Sequence, residues 1–326
     1  MSLQHFLKQY PNRRYLMFGG KGGLGKTTFS AATAYWLAKQ GHKVLVFSVD
    51  PQASLSDIFQ QDIFGKGAVE IMPNLFAQEI DADRRIKDYQ QEIRQKILDM
   101  YGLEKVPEEI ENYIQAAAAE PAMEESAIFD AVVDIVIGGD YDYYIYDLVP
   151  LGHALYYLSM ASVYDQWIDK ITALRAEMAE YAQVASVMQR DKETEEDQIL
   201  RELQYIKQRI NTSSGILTDK ERTAFFFVLV PEEMIIVDTQ KAAGLFARYN
   251  VPLSGYVVNR VIPAELAQQD IPDYLRNRLA MQRGYLERID QLFGQEVLAR
   301  VNEFERDITG LPMIEKVAAA LFGGEE

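Results

Sequence analysis

Four glycines and two lysines lie within the eight-residue segment Gly20–Thr27 (GKGGLGKT), and their spacing is suited to binding phosphate. The segment matches the P-loop pattern G-x4-G-K-[ST], in which backbone N–H groups and the next helix N-terminus form an anion-binding nest. It predicts a nucleotide site where Lys26 contacts the β- and γ-phosphates and the Thr27 hydroxyl coordinates Mg²⁺. The predicted nucleotide-binding residues of the segment are Gly20, Lys21, Gly22, Gly23, Leu24, Gly25, Lys26 and Thr27.

Lys21 is a second lysine inside this loop, and an ordinary P-loop does not require it. One interpretation is a solvated surface lysine, which is the usual state of this side chain. The other is a lysine that reaches across a dimer to the partner's nucleotide and stabilises charge there, as an arginine finger does. In the second case Lys21 is a catalytic residue together with Lys26.

Two aspartates follow apolar segments that have the character of buried strands. Asp50 ends the segment KVLVFSVD, and Asp147 lies in YYIYDLV. In open α/β sheets the carboxyl ends of the strands meet at the edge where nucleotides bind. We expect Asp50 to position the attacking water or to contact Mg²⁺, and Asp147 to take the Walker B role near the metal. For either aspartate alone, the alternative is a strand-end or capping residue.

The elements around these residues alternate between strand and helix. Apolar strands are predicted at 14–19, 43–49, 143–149, 224–230 and 253–258, and a helix at 28–40. The order strand, glycine-rich turn, helix, strand is a βαβ unit, which requires a parallel sheet with right-handed crossovers. Continuous apolar runs are typical of strands that are covered on both faces. The predicted fold class is therefore α/β.

Two helix-rich stretches separate the predicted strands. Apolar residues recur at three- or four-residue steps from Ile86 to Met100 and again from Leu200 to Ile210, which predicts helices with one apolar side. We place a helical subdomain at about 84–137 and 161–222, inserted into a single domain that spans 1–326. The charge-dense stretch 190–209 is interpreted as a solvated helix face.

The amino-acid composition limits which classes of partner and cofactor the chain could bind. The 326-residue chain carries 33 Lys+Arg and 49 Asp+Glu, a net charge of −16, so we expect no nucleic-acid partner. Cysteine is absent, which excludes disulfides, thiolate zinc sites and cysteine-bound iron–sulfur clusters in this chain. The longest apolar run, 224–230, is far shorter than the roughly 20 residues of a membrane-spanning helix, and the N-terminus lacks a signal-peptide apolar stretch. We expect a cytoplasmic protein.

Six blocks occur in this order along nearly the whole chain: GKGGLGKTT, DPQASLSDIF, DLVPLGHALYYL, TDKERTAFFFVLVPEEM, GYVVNRVIP and FERDITGL. Together they resemble the arsenite-pump (ArsA) ATPases and the related ATPases that target tail-anchored membrane proteins, a family with a deviant Walker A P-loop. The resemblance implies a doubly wound, mostly parallel α/β P-loop NTPase with an inserted helical subdomain. It also implies a dimer that encloses ATP and Mg²⁺ between its subunits and opens and closes with ATP.

The resemblance assigns roles within the P-loop and the first switch. It makes Lys21 the intermolecular lysine, Lys26 the phosphate lysine and Thr27 the Mg²⁺ ligand, and it places Thr28 near the α-phosphate. The first switch contains Asp50, which orients the hydrolytic water, and Pro51.

The resemblance also assigns a second switch and an adenine contact. The second switch contains Asp147, Pro150, Gly152 and His153, with Gly152 near the γ-phosphate and Asp147 at Mg²⁺, directly or through a water. Asn259, in the segment VVNR, is expected to read the adenine edge. The alternative for Asn259 is a capping asparagine after a strand.

The chain departs from the family pattern in the second switch, which usually reads D-T-A-P-T-G-H. Leu148, Val149 and Leu151 occupy the second, third and fifth places, so two hydroxyls are lost beside the metal. This favours slow hydrolysis or an altered switch. Gln52 stands where histidine is frequent, and Asn302 stands where proline is usual before the last block.

Two functions fit these observations. In the first, the chain is an ATP-driven targeting factor whose helical subdomain forms a groove for a hydrophobic client helix. In the second, it energises an anion or metalloid efflux system together with a membrane transporter, as a homodimer or paired with a paralogue. Because the chain has no cysteine, it lacks both the thiolate metalloid site of the pumps and the CxxC zinc clamp of the targeting ATPases. Any dimer must then depend on nucleotide and packing.

Overall fold

The computed structural model describes residues 2–50, 52–102, 104–118, 121–148, 169–170, 205, 207–209, 211–248, 251 and 253–323. The elements up to the fifth strand are α1 (Leu3–Gln9), β1 (Tyr15–Gly19), α2 (Lys26–Lys39), β2 (Val44–Ser48), α3 (Ser54–Phe59), β3 (Val69–Met72), β4 (Leu75–Glu79), α4 (Ala82–Tyr101), α5 (Glu108–Ala118), α6 (Pro121–Gly138) and β5 (Tyr143–Asp147). The later elements are β6 (Thr223–Leu229), α7 (Glu233–Arg248), β7 (Leu253–Val261), a 3₁₀ turn (Ala264–Gln268), α8 (Asp273–Phe293), a second 3₁₀ turn (Gly294–Glu296), β8 (Val297–Asn302) and α9 (Leu311–Phe322).

The eight strands form one sheet in the order β3-β4-β2-β5-β1-β6-β7-β8. All neighbouring pairs are parallel except β3 and β4, which are antiparallel. Strand β1 lies in the interior between β5 and β6, and the chain builds one side of the sheet before the other. Ligands of open α/β sheets bind beside such a reversal of strand order. The prediction of an α/β fold with a mostly parallel sheet is confirmed.

The sheet is covered on both faces, as the aromatic residues of β6 show. Phe226 packs against Phe6 of α1, with ring centroids 5.4 Å apart. Phe225 and Phe227 point to the opposite face and pack against Phe246 of α7 at 4.4 and 5.1 Å. Because successive strand residues alternate between faces, a strand with both faces buried must be apolar throughout. The unbroken run at 224–230 follows from this arrangement.

Helix α2 is buried along most of its length between the sheet and the C-terminal helix α9. Its buried residues are Lys26, Phe29, Ser30, Ala31, Ala32, Thr33, Ala34, Tyr35, Leu37 and Ala38. On the side away from the sheet, Trp36 stacks on Phe322 of α9, with centroids 4.3 Å apart and rings 10° from parallel. The many alanines allow close approach of neighbouring backbones, so α2 is held from both sides. Since α2 begins at the P-loop, this packing also fixes the position of the loop.

Three helices, α4 to α6, follow β4 where the sequence predicted the first part of a helical insert. The Asp81 side chain accepts the Arg84 N–H and caps α4, and Arg94 joins α4 to Glu111 of α5 at 2.6 Å. Asp134 of α6 pairs with Arg85 and with Arg209, so residue 209 lies against this helical group. Most of the second predicted part, 161–222, lies outside the described residues, and the domain division stays a prediction.

None of the helices in the described part of the chain is both long enough and apolar enough to cross a bilayer.

Candidate functional site

The parallel register brings the carboxyl ends of four strands to one edge of the sheet. Phe18 of β1 lies beside Asp147 of β5, and Asp147 lies beside Ser48 of β2. Ser48 is in turn opposite Glu79 of β4. The loop that leaves β1 at Gly19 is the P-loop, so the sheet places both candidate aspartates next to it. Asp147 ends its strand, and Asp50 follows β2 by two residues.

The P-loop glycines adopt backbone conformations and close contacts that a side chain would disturb. Gly20 has φ +150°, and a Cβ there would lie 2.5 Å from the carbonyl oxygen of Val228. Gly25 has φ +99°, and a Cβ there would lie 2.4 Å from Nδ2 of Asn259. Such positive φ values are strained for residues other than glycine. Helix α2 begins directly after Gly25, so its N-terminal N–H groups face the loop.

Lys26 is held in the position that the P-loop pattern predicts. Its side chain is largely buried, and its Nζ donates to the carbonyl oxygen of Lys21 at 3.2 Å across the loop. Burial lowers the pKa of the Lys26 ammonium, while the nearby carboxylates of Asp147 and Asp50 act in the opposite direction. The same two carboxylates therefore lie within electrostatic reach of the lysine. A cation in this place can neutralise phosphate charge at the loop.

Asp147 is a buried carboxyl group that two hydroxyls of α2 contact. The Thr27 hydroxyl donates to Oδ2 at 2.6 Å, and the Ser30 hydroxyl lies 3.4 Å from Oδ1. Burial raises the pKa of Asp147 to about 7, and the Thr27 hydrogen bond and the Lys26 charge counteract this only in part. Sequence reasoning missed Ser30. Its position three residues after Thr27, on the same side of the helix, was the signal that could have found it.

Thr27 and Asp147 are chemically suited to Mg²⁺. The metal prefers hard oxygen ligands and binds proteins through one or two such groups while keeping several waters. The hydroxyl and carboxylate oxygens lie 2.6 Å apart, at the loop that would carry the phosphates. The predicted metal ligands are thus together, and their donor atoms fit the ion.

Asp50 sits in a local turn at the same edge. Its N–H donates to the Ser48 hydroxyl at 3.1 Å, and its Oδ1 accepts the Gln52 N–H at 3.0 Å. One carboxylate oxygen is therefore used by the backbone, as in an Asx turn. The influence of Asp50 on both Lys26 and Asp147 places its charge near the predicted phosphate site.

Glu79 anchors the segment that follows Asp50, and sequence reasoning missed it. This buried carboxylate accepts the Leu55 N–H at 2.6 Å and the Ser56 hydroxyl at 2.5 Å. The Ser56 oxygen also accepts the Ile63 N–H at 3.1 Å. Glu79 thus satisfies a backbone donor at the start of α3, where the chain has no capping side chain of its own. The segment that contains Asp50 is therefore anchored at its C-terminal end, where Glu79 holds the start of α3.

Lys21 turns away from its own phosphate loop. Its Nζ pairs at 3.3 Å with Asp238 of α7, and the two side chains remain 51% and 45% exposed. Exposed pairs of this kind contribute little to stability. Asp238 was not found from the sequence, since it lies more than 200 residues from the P-loop. The structure thus places Lys21 at the surface, with its ammonium bound by one exposed carboxylate.

Asn259 and Arg260, near the end of β7, contact the P-loop. Asn259 donates from Nδ2 to the carbonyl oxygen of Leu24 at 2.8 Å, and Arg260 donates from Nη2 to that of Gly23 at 2.9 Å. The structure thus brings Asn259 to the nucleotide site, while its adenine contact stays a prediction. Arg260 was missed, although it is the next residue in the chain.

Four of the predicted switch residues, Pro51, Pro150, Gly152 and His153, lie outside the described residues. Leu148, the residue after Asp147, is buried and donates its N–H to the Phe18 carbonyl at 3.2 Å. It continues the pairing of β5 with β1 by one residue.

A glycine-rich loop that leads into a buried helix, with a lysine, a threonine and a strand-end aspartate at its mouth, defines a P-loop nucleoside triphosphatase. The model of one family, described as anion-transporting ATPase (ArsA ATPase), matches residues 13–323. The chain belongs to this family and is an ATPase.

Several relatives resemble the chain over nearly its full length. An arsenical pump-driving ATPase 1 of Aquifex aeolicus is 31% identical over 96% of this chain and 79% of its own length. A second protein of that organism, arsenical pump-driving ATPase 2, is 30% identical over 86% of this chain and 89% of its own. The ATPase GET3C of Arabidopsis thaliana is 27% identical over 93% of this chain and 81% of its own. The family prediction is confirmed.

Proposed function

We propose that the chain is a Mg²⁺- and ATP-dependent dimeric ATPase that closes around nucleotide and opens after hydrolysis, in order to handle a hydrophobic membrane-protein client. The orientation of Lys21 is the observation that supports a dimer. Lys26 already fills the lysine position at its own loop, whereas Lys21 points outward and is held by one exposed ion pair. A second copy that faces the P-loop could receive this lysine at its own nucleotide.

The proposed reaction distributes its work among residues that lie at one edge of the sheet. Lys26 neutralises charge on the phosphates from the same subunit, and Asp50 orients the attacking water. Mg²⁺, held by Thr27 and Asp147, would neutralise charge that develops on the phosphate oxygens. Lys21 of the facing subunit would stabilise the transferred phosphoryl group. Loss of the γ-phosphate would release the segment after Asp50 and the segment after Asp147, and the dimer would open.

Replacing Lys21 with alanine tests the proposed dimer. We expect Lys21→Ala to keep nucleotide affinity within about twofold, because the side chain does not contact its own loop's nest, and to weaken ATP-dependent dimerisation by at least about tenfold. Analytical ultracentrifugation with ATP and with ADP measures the dimer, and a fluorescent ATP analogue measures affinity.

Lys66→Ala is the matched control for this variant. Lys66 is 52% exposed and also makes a single surface ion pair, with Asp62 at 2.5 Å, but it belongs to the segment between α3 and β3 and not to the P-loop. The control should dimerise as the parent does. An unchanged dimer in Lys21→Ala would remove this lysine from the mechanism.

Handling of a client is the second part of the proposal. Helices α4 to α6 leave the sheet directly after β4, and the family includes GET3 ATPases that the chain matches over almost its whole length. We expect ATP-dependent capture of a tagged apolar segment of about 20 residues, a membrane-spanning length, when the two are co-expressed in the cytoplasm. Size exclusion with ATP and with ADP measures the complex, and a segment with four apolar residues changed to aspartate is the control.

Two of the relatives reported above favour a second candidate, since they are named arsenical pump-driving ATPases. In that case the chain energises an anion efflux system, with itself or a paralogue as partner. The absence of cysteine in this chain means that a metalloid site made of thiolates is not part of it. A folded protein that binds ATP but captures no apolar segment in either nucleotide state would favour this second function.

A further inference from the structure

We propose that Arg260, acting together with Asn259, is a positioning residue that holds the P-loop in its phosphate-binding conformation. The inference rests on the proposed nucleotide site at this loop. Arg260 donates to the carbonyl oxygen of Gly23 at 2.9 Å, and Asn259 donates to that of Leu24 at 2.8 Å. Two successive carbonyl groups of the loop are thus bound by two successive side chains of β7.

The effect on the nest follows from the geometry of the peptide group. The C=O and N–H of one planar peptide unit point in opposite directions. Because the Gly23 carbonyl points to Arg260, the Leu24 N–H points away from β7, toward the side where the proposed phosphate would lie, and the Leu24 carbonyl bound by Asn259 directs the Gly25 N–H in the same way. Inward N–H groups are what an anion nest requires. Arg260 and Asn259 thus organise donors that they do not themselves supply.

The backbone of β7 is distorted at the point where these side chains leave it. The register of β7 against β8 shifts between Val258 and Val261, which marks an irregularity of the β-bulge type at Asn259 and Arg260. Arg260 has φ +53°, a conformation that is unfavourable for a residue with a side chain. Bulges next to functional sites commonly redirect a side chain. Here the distortion directs both side chains to the P-loop.

Steric fit supports the same contact from the side of the loop. Gly25 leaves room for the Asn259 amide, since a Cβ at position 25 would lie 2.4 Å from Nδ2. Glycine would relieve the strain at position 260 at no steric cost, yet the chain carries arginine there. Strained residues persist where the surrounding structure uses them. An arginine also adds positive charge beside a phosphate site on a chain of net charge −16.

Replacing Arg260 with glycine distinguishes a role in shaping the P-loop from a role in stability, because it should lower the affinity for phosphate ligands without lowering the Tm. Arg260→Gly removes the side chain and also relieves the left-handed strain. We expect affinity for ATP and for inorganic tripolyphosphate to fall by about tenfold each, as for loss of one charge-assisted hydrogen bond. The Tm should stay the same or rise by about 2 °C. Without nucleotide, amide hydrogen exchange in peptides that cover 20–27 should become several-fold faster.

Two further variants complete the experiment. Arg260→Lys keeps a donor that can reach the Gly23 carbonyl, and it should restore affinity to within about threefold of the parent. Asn74→Gly is the matched control: Asn74 is exposed, has φ +71°, and lies in the turn between β3 and β4. It should relieve strain of the same kind, although less of it because asparagine tolerates this conformation better than arginine, without changing either affinity or exchange in the P-loop.

Each alternative result overturns the inference in a distinct way. Unchanged affinity in Arg260→Gly, with a parent that binds ATP and tripolyphosphate, overturns the positioning role and leaves the nucleotide site intact. A loss for ATP but not for tripolyphosphate would place Arg260 at the base. A loss of affinity with unchanged exchange in the nucleotide-free loop would make it a direct phosphate ligand. A parent that binds neither ligand would overturn the proposed nucleotide site as well.

Discussion

Asp147→Asn is expected to raise the thermal stability of the nucleotide-free protein at pH 8 while it lowers ATP turnover by at least about 100-fold. The two effects have one cause. Asp147 is buried, and ionising it next to the sheet is unfavourable in the absence of a cation. Asparagine keeps the shape and one acceptor for the Thr27 hydroxyl but carries no charge. The charge is what the proposed Mg²⁺ site needs.

The pH dependence follows from the direction of the pKa shift. Burial raises the pKa of Asp147 from 3.8 to about 7, so the folded protein holds this proton over a range where the unfolded chain has lost it. The free energy of unfolding therefore falls as the pH rises from about 4 to about 7 and then levels off. At about 1.4 kcal/mol per pKa unit, asparagine should gain about 4 kcal/mol at pH 8 and about 2 kcal/mol at pH 5.5.

Scanning calorimetry in EDTA at these two pH values checks the prediction. The Tm of Asp147→Asn should exceed that of the parent by roughly 6 °C at pH 8 and roughly 3 °C at pH 5.5. Asp142→Asn is the control, since Asp142 is an exposed aspartate just before the same strand, where it accepts the Lys43 N–H at 2.8 Å. An equal gain at both pH values would contradict the assignment to Asp147. Added Mg²⁺ and ATP should remove the advantage of the variant.

Asp50→Asn is expected to leave ATP binding within about twofold of the parent and to reduce kcat by about 10²–10⁴-fold, the contribution of a positioned base. The structure explains why this variant should lose turnover but keep ATP binding. Oδ1 of Asp50 accepts the Gln52 N–H, and asparagine can keep that bond through its own Oδ1. The turn should therefore survive, and so should the attachment of α3 through Glu79. What is lost is the negative charge that would accept a proton or orient water.

Single-turnover measurements with saturating ATP separate chemistry from binding in this variant. Asp57→Asn is the matched control, because Asp57 is an exposed aspartate on α3 in the same segment. The control should hydrolyse ATP at the parent rate. Unchanged turnover in Asp50→Asn would refute the role of this residue as the group that orients water.

The sequence was sufficient for the interior of the sheet and for the P-loop. The five strands predicted from continuous apolar runs are all present with shifts of a few residues, because a doubly covered strand leaves an unmistakable unbroken pattern. Strands β3, β4 and β8 were missed. They lie toward the two edges of the sheet, and β4 buries only alternate residues, so their apolar signal is short and interrupted.

The motif residues of the site could be predicted from the sequence, but the residues that contact them and hold them in place could not. Thr27, Lys26 and Asp147 came from spacing and from strand ends, where local chemistry and topology decide the position. Asp238 and Arg260 reach the P-loop only through folding of segments more than 200 residues away. Contacts between residues so far apart in the chain leave no periodic pattern in the local sequence. Ser30 and Glu79 could have been inferred once the register was known, since both face the carboxyl edge.

The position of β1 in the sheet has a consequence for biosynthesis. Residues 15–19 are synthesised long before one of their two neighbours, β6, which spans residues 223–229. At about 5–20 residues per second, a nascent β1 waits roughly 10–40 s for that neighbour, with at least one edge unpaired. Asn259 and Arg260 arrive later still. The phosphate loop of a newly made chain is therefore not shaped until β7 has been synthesised, and the chain should acquire affinity for ATP only after that point.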